Sequence, residues 1–443
     1  MEDREQRLSR RKFIAASAFV GLSLTAADDP ALAGVEAPPL SRTRPARLSV
    51  KGRKPIAVLT TVYRPLSHAY HIAGRFIHGY ARGDKLHVPR HHVASLYAHQ
   101  APENDLSKEV CKEFGITSAR TIEEALTTNG KLSVEGVLLI AEHGNYPLND
   151  KGQILYPRFE WMQEIARVFA KVGKSVPVFN DKHLSYTFDK AKKMLALGKA
   201  QGFPIMAGSS LPVVWRRPEL ELELESPVED ALVATYGPIE IYGFHALETL
   251  QTMVERRKGG ETGVKAVTCL VGKEVWRAAD AGRWSWDLLE SALSRSESVN
   301  PGDIRKNTGG MKVLGHPVVP PTAFLIEYRD GTRGTVLLLN GHIRDFVFAA
   351  KLKGKAKHAS CLFDLPPPPG ARFFDALNAH IEKFLETGKS PYPVERTLLT
   401  TGTLDSVLES HHARGKRVET PELDVTYAAP TDSGFLRGSV ATS

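Results

Sequence analysis

The chain has 443 residues, with Lys+Arg 58 against Asp+Glu 50 and a formal net charge of +8. Hydrophobic residues at 42% and charged residues at 24% are globular values and exclude wholesale disorder. Three widely spaced cysteines (Cys111, Cys269, Cys361) exclude a disulfide framework or a cysteine zinc cluster, and the positive balance admits nucleic acid, anionic lipid or acidic glycan without choosing among them.

Residues 1–33 read as a twin-arginine export signal. Arg10-Arg11 precede a short, weakly apolar stretch, and Ala31-Leu32-Ala33 offers a small-residue cleavage site. The stretch is too short for a bilayer core of about 30 Å, which needs roughly 20 apolar residues. The segment holds five basic and five acidic residues, so its removal leaves the charge of +8 on the mature protein. Nothing later is apolar for long enough to be an anchor, so a periplasmic or extracellular protein without a membrane span is expected. Residues 34–53, with Pro38, Pro39 and Pro45, read as a linker.

An apolar run at 56–59 predicts a strand buried on both faces, followed by a helix over 67–80 and a strand over 93–97. Helices are predicted over 106–114 and from Thr121, which caps with Glu124 three residues on. Strands at 136–141, 176–179 and 204–207 alternate with helices over 159–172 and 188–201. This alternation predicts an α/β domain over 54–210, a Rossmann-like doubly wound parallel sheet. Beyond 211 the pattern changes to strands at 264–271, 322–328, 334–339 and 346–351 and a helix near Phe244. An α+β domain with a mostly antiparallel open sheet is predicted over 211–430, with 431–443 as a tail. The open sheet is a candidate surface for a homo-oligomer.

Ligands of doubly wound sheets bind at the carboxyl ends of the strands. Those ends carry Arg64, His99, Glu142, His143, Asp181, Lys182 and His183. Three stretches resemble the glucose–fructose oxidoreductase and inositol dehydrogenase family (Gfo/Idh/MocA). They are CKEFGITSARTIEEAL (111–126) with the following strand, VPVFNDKHL (176–184), and the Tyr242–Glu248 stretch YGFHALE. The resemblance spans roughly 54–427. It implies that Lys182 occupies the lysine of the family's Glu-Lys-Pro signature, with Asp181 and His183 replacing its neighbours, and that His245 takes the role of the active-site histidine.

The family's nicotinamide signature is missing. A pyrophosphate needs bare backbone N–H groups in a Gly-rich turn, and the turn here is Tyr63-Arg64-Pro65-Leu66-Ser67-His68. The stretch Tyr97–Gln100 supplies no acidic residue for a ribose, although Arg90 or His99 could still hold the phosphate of NADP. The residues thus argue against NAD(P) without excluding it. Arg64 and His68 suit an anionic group such as a sugar carboxylate. Glu142, His143, Asp181 and His183 are candidate ligands for a divalent metal of unspecified identity. Lys182 is the first candidate for general base or electrostatic clamp, His245 and Tyr146 for proton relay, and Arg256 for holding substrate.

These residues favour an exported enzyme acting on a sugar or uronate by metal- or lysine-assisted proton abstraction, of lyase or epimerase type. An NAD(P)-dependent sugar oxidoreductase is the alternative, and a non-catalytic glycan-binding envelope protein is the second. No motif for nucleic acid is present.

Overall fold

The structure, a computed structural model, describes residues 47–438 apart from 84, 309–319 and 369. The export signal and most of the linker lie outside the described residues.

The first domain runs β1 (Lys54–Thr60), α1 (His68–His78), β2 (His91–Ala98), α2 (Ser107–Phe114), β3 (Thr117–Ala119), β4 (Val137–Ile140), α3 (Arg158–Val172), β5 (Val178–Asp181), α4 (Phe188–Gln201) and β6 (Ile205–Gly208). Its six strands are all parallel, in the order β3-β2-β1-β4-β5-β6, so the winding reverses between β1 and β4. The doubly wound sheet predicted from sequence is present. Ile56, Ala57, Val58 and Leu59 are all fully buried, as are Val137–Ile140, because helices cover both faces. Truncating one of these leucines to alanine costs about 2–5 kcal/mol. Ser67 Oγ accepts the Tyr70 N–H to start α1, Thr187 Oγ1 caps α4, and Gly202 in the left-handed region (φ 67°) ends α4.

The second domain contains β7 (Trp215–Arg217), β8 (Val228–Thr235), α5 (Ile241–Val254), β9 (Val264–Val271), α6 (Lys273–Asp280), α7 (Trp286–Leu293), β10 (Thr322–Tyr328), β11 (Arg333–Leu338), β12 (Phe346–Leu352), β13 (Ala359–Asp364), α8 (Phe373–Thr387), α9 (Val394–His412) and β14 (Val418–Glu419). Its eight-stranded sheet has the order β7-β13-β12-β8-β11-β10-β9-β14 and is antiparallel except between β8 and β11. The sheet is open, with β7 and β14 at its edges, but its faces are covered. Alternate residues of its strands face opposite ways, as the period of two requires. Val233, Phe324, Val336 and Phe348 pack in the core shared with α5 and α9. Leu232, Leu325, Leu337 and Val347 pack in another core with Trp276 and Trp284 of the α6–α7 region. The face offered from sequence as an oligomer surface is therefore covered within the chain.

Two C-terminal segments return to hold the site. Phe374, Leu377 and Phe384 of α8 join the core of α1, and the Asn378 side-chain amide donates to the Ile72 carbonyl (2.8 Å). The beginning of the assigned tail is packed as well, with Phe435 buried under the Arg216 guanidinium (4.3 Å) and Leu436 N–H donating to Val213 O (3.0 Å).

Candidate functional site

The carboxyl ends of β4 and β5 gather the charged groups. Glu142 lies two residues beyond β4, and Lys182 directly follows β5. Lys182 has φ 61° and His143 has φ 69°, so the chain turns through the left-handed region at both strand ends. Non-glycine residues rarely adopt that conformation outside constrained sites. The Lys182 N–H donates to Gly208 O (3.1 Å), tying the turn to the end of β6.

Glu142 accepts from Lys182 Nζ at one oxygen (2.7 Å) and from Arg158 at the other (2.5 Å). All three side chains are buried, and Arg158 is 0% exposed. Burial alone raises the Glu142 carboxyl, but Lys182 and Arg158 outweigh it and hold the group well below the carboxylate range. Arg158 also donates to His183 Nε2 (3.0 Å). His68 at the start of α1 pairs through Nδ1 with Asp181 Oδ2 (2.7 Å). Its ring lies edge-on to His143 at 5.5 Å.

His245 comes from the second domain, on the first turns of α5, and its ring neighbours are Tyr242, Phe244 and Phe346. Burial, with Lys182 and His68 behind it, pushes its pKa well below the ordinary imidazole value. His143 is lowered by burial and by His68, and His183 by burial and by Arg158. Each of the three has a buried ring nitrogen without a hydrogen-bond partner among the described residues: His143 Nε2, His183 Nδ1 and His245 Nδ1. Arg64 is buried on the near side and close enough to act on His143. Glu248, one helical turn from His245, is fully buried. It accepts the Ser209 N–H (2.6 Å), and burial raises its carboxyl to about 7.

The structure bears on three sequence expectations here. Among the described residues no three His, Cys, Asp or Glu side chains form a metal-binding group. Glu142 is saturated by Lys182 and Arg158, His183 faces Arg158, and Asp181 holds His68, so the proposed ligand set of Glu142, His143, Asp181 and His183 does not converge. Arg256 binds protein, not substrate. Its guanidinium donates to the carbonyls of Leu222, Pro430 (2.7 Å) and Thr431 (3.0 Å). Tyr146, offered for proton relay, bonds to His99 Nδ1 (2.6 Å) and packs on Tyr156 (5.3 Å).

Arg158 and Glu240 were missed from sequence. Arg158 is the first residue of α3, where the helix dipole disfavours a cation. An arginine at that position needs an anion, and this was the available signal. Glu240, just ahead of α5, accepts the Ile154 N–H (2.8 Å), and burial raises it to about 7.

No protein-family model and no curated protein sequence matches the chain. Solved structures do. GenD2 from gentamicin A biosynthesis, in complex with NAD, aligns with a TM-score of 0.52 at 13% identity, over 85% of this chain and 99% of that one. A probable dehydrogenase from Thermotoga maritima aligns with a TM-score of 0.50 at 11% identity, over 83% and 99%. At these identities the likeness establishes the fold: a Rossmann-like domain followed by a second α/β domain, the Gfo/Idh/MocA arrangement.

The GenD2 structure holds NAD, and the turn of this chain that would meet such a dinucleotide fits it poorly. In the turn after β1, Tyr63 N–H donates to Asp105, and Arg64 and Tyr70 N–H donate to Ser67 Oγ. Ser67 N–H bonds Arg64 O, and Pro65 has no N–H. The N–H groups of Tyr63, Arg64, Ser67 and Tyr70 are thus taken and Pro65 offers none, which leaves a pyrophosphate fewer donors than a Gly-rich turn would. Because β1 lies between β2 and β4, a contact between the loops after those strands passes over the switch point. Gln100 makes one: its Oε1 accepts Asn145 N–H (2.8 Å) and its Nε2 donates to Asn145 O (2.9 Å). The bond between His99 and Tyr146 is a second strut between the same loops. The residues offered for an NADP phosphate fail too. His99 is engaged in this strut, and Arg90 precedes β2, at the amino end of the sheet, paired with Glu386 (3.4 Å).

Proposed function

We propose that the chain is an enzyme that moves a proton at a carbon next to a carbonyl or carboxylate of a sugar-class substrate, without nicotinamide. The observation that carries this is the β4–β5 cluster, where a fixed cation meets buried imidazoles with unpartnered nitrogens. Lys182, anchored on Glu142, supplies positive charge to a developing enolate oxygen, and His245, held neutral, accepts the proton. The neighbouring Arg64 suits an acidic sugar. The twin-arginine pattern supports export to the periplasm or beyond, testable by fractionation of cells that express the full chain.

The test tracks solvent deuterium by proton NMR into D-fructose and D-glucuronate. Exchange next to the carbonyl or carboxylate is expected, and it should vanish in Lys182→Ala and His245→Ala. Micromolar binding of NAD+ or NADP+ with hydride transfer to or from a sugar overturns the reading.

A second reading, a nicotinamide-dependent sugar oxidoreductase, is favoured by the fold shared with the NAD complex of GenD2. In it, Lys182 and His245 handle the proton of a substrate hydroxyl. The same nucleotide titration separates the two.

A further inference from the structure

His183 stands where a metal ligand was expected, and its contacts give it a different task. Arg158 has only donors, five N–H groups and no acceptor. Since Arg158 Nη1 faces His183 Nε2 at 3.0 Å, that nitrogen must present its lone pair. An imidazolium would set N–H against N–H and cation against cation. His183 is therefore neutral with its proton on Nδ1, and Arg158 is itself held by Glu142 (2.5 Å). The Lys182–Glu142–Arg158–His183 chain thus fixes a tautomer.

The Nδ1–H so fixed is buried and has no protein partner. An unmet buried donor costs about 1–3 kcal/mol. The His183 ring, 4% exposed, lies 5.3 Å from Phe244, the residue before His245. His245 brings its own unpartnered Nδ1, whose tautomer no protein contact fixes.

We infer that His183 Nδ1–H is a hydrogen-bond donor to a substrate oxygen (a carbonyl, carboxylate or hydroxyl) and that Arg158 is the positioning residue that keeps the proton there. The inference rests on the reading of this cluster as the reaction site. Lys182 acts electrostatically on the His183 ring, and both act on the His245 ring, so the group assigned to this donor is the oxygen attached to, or next to, the reacting carbon.

The experiment uses the full chain with 15N-labelled histidine, the His183 signals being assigned by their loss in His183→Gln. Long-range proton–nitrogen correlation is expected to show the Nδ1–H tautomer, and the N–H signal is expected to shift when D-glucuronate or D-fructose is added. His183→Phe should weaken binding of the responsive sugar about tenfold, the equivalent of about 1.4 kcal/mol, and His183→Asn, which keeps a donor, should recover part of the loss. Arg158→Lys should mix the tautomers; if that variant fails to fold, the parent spectrum decides alone. An Nε2–H tautomer in the parent overturns the inference, and so does an Nδ1–H signal unmoved by either sugar. A shifted signal without deuterium exchange overturns the proton-transfer reading instead and leaves the donor standing.

Discussion

Two buried charge networks stand in this chain, one at the end of β4 and β5 and one under the second domain. In the latter, Arg396 grips Glu255 with two bonds (2.8 and 2.5 Å), and Tyr427 adds a third (2.8 Å). Arg257 grips Glu261 (2.9 and 3.0 Å) and Asp330 (2.6 Å), while Gln251 joins Tyr427, Tyr328 and Glu261. Both networks are as buried as a hydrophobic core. They differ in what is left over. Every carboxylate oxygen of Glu255 and Glu261 is bonded within the protein, and the groups tie α5, α9, β10 and the C-terminal segment together. The β4–β5 network satisfies its carboxylate equally well but leaves imidazole nitrogens open around it. Burial, charge and an unpartnered guanidinium nitrogen (Arg158 Nε, Arg396 Nη1) mark both regions; unpartnered imidazole nitrogens mark only the one suited to chemistry.

The comparison can be broken most directly at Arg396. Arg396→Ala leaves Glu255 buried with Tyr427 as its remaining bonded partner and is expected to cost about 3–5 kcal/mol in urea denaturation. Deuterium exchange in the surviving folded fraction should be unchanged. A loss of exchange at full stability would reverse the roles assigned to the networks.

Lys182→Ala is the reciprocal case. It should lower the exchange rate by about 10²–10⁴-fold, while Arg158 continues to neutralise Glu142 and the fold persists by circular dichroism. An exchange rate within a factor of three or so of the parent would remove Lys182 from the chemistry.

Glu248 sharpens the contrast through pH. Burial raises its carboxyl from 4.5 to about 7, so the folded state binds a proton that the unfolded state has released. The stabilising contribution is complete below the unfolded value of 4.5 and is lost as pH rises through about 7. Glu248→Gln carries no such proton. It should gain on the parent by roughly 1.4 kcal/mol per pH unit across that window and level off above it. A stability difference that is flat between those pH values would show Glu248 ionised in the fold.

The smallest effect is expected at the Gln100 strut. Gln100→Ala removes two half-exposed bonds and should change stability by less than about 1 kcal/mol. NAD+ titration should remain blank, because the β1 turn keeps Pro65 and the internal bonds of Tyr63, Arg64 and Ser67 N–H. Nucleotide binding gained by this variant would make the strut, and not the turn, the barrier.

The strand-end residues were legible in the sequence because buried parallel strands announce themselves as apolar runs, and the residues just after each run must lie at the carboxyl edge. Glu142, Asp181, Lys182 and His183 were found that way. Their pairing was not legible, since it depends on which neighbour reaches which across the sheet. Arg158 lies 24 residues before Lys182 in the chain and meets Glu142 only because α3 packs beside β4 and β5. The metal reading failed for the same reason: donor types were visible, but the cations that occupy them were not. Arg256 was offered as a substrate contact, and the C-terminal carbonyls that hold it are 174 and 175 residues away. The covering of the second sheet turned on the tryptophans of the α6–α7 region, which pack into its core. Trp284 confirms it, buried with its indole N–H on Val275 O (2.9 Å).

The left-handed turns at His143 and Lys182 carry a consequence for engineering. Each places a side chain where the backbone would be better served by glycine, at a cost of about 1–2 kcal/mol relative to a right-handed residue. His143→Gly relieves that conformation without breaking a bond of the ring, since its Nε2 has no partner. A library screened for heat resistance alone should therefore drift toward glycine at position 143 and shed an imidazole from the cleft. Thermostability and turnover would be traded at a backbone dihedral.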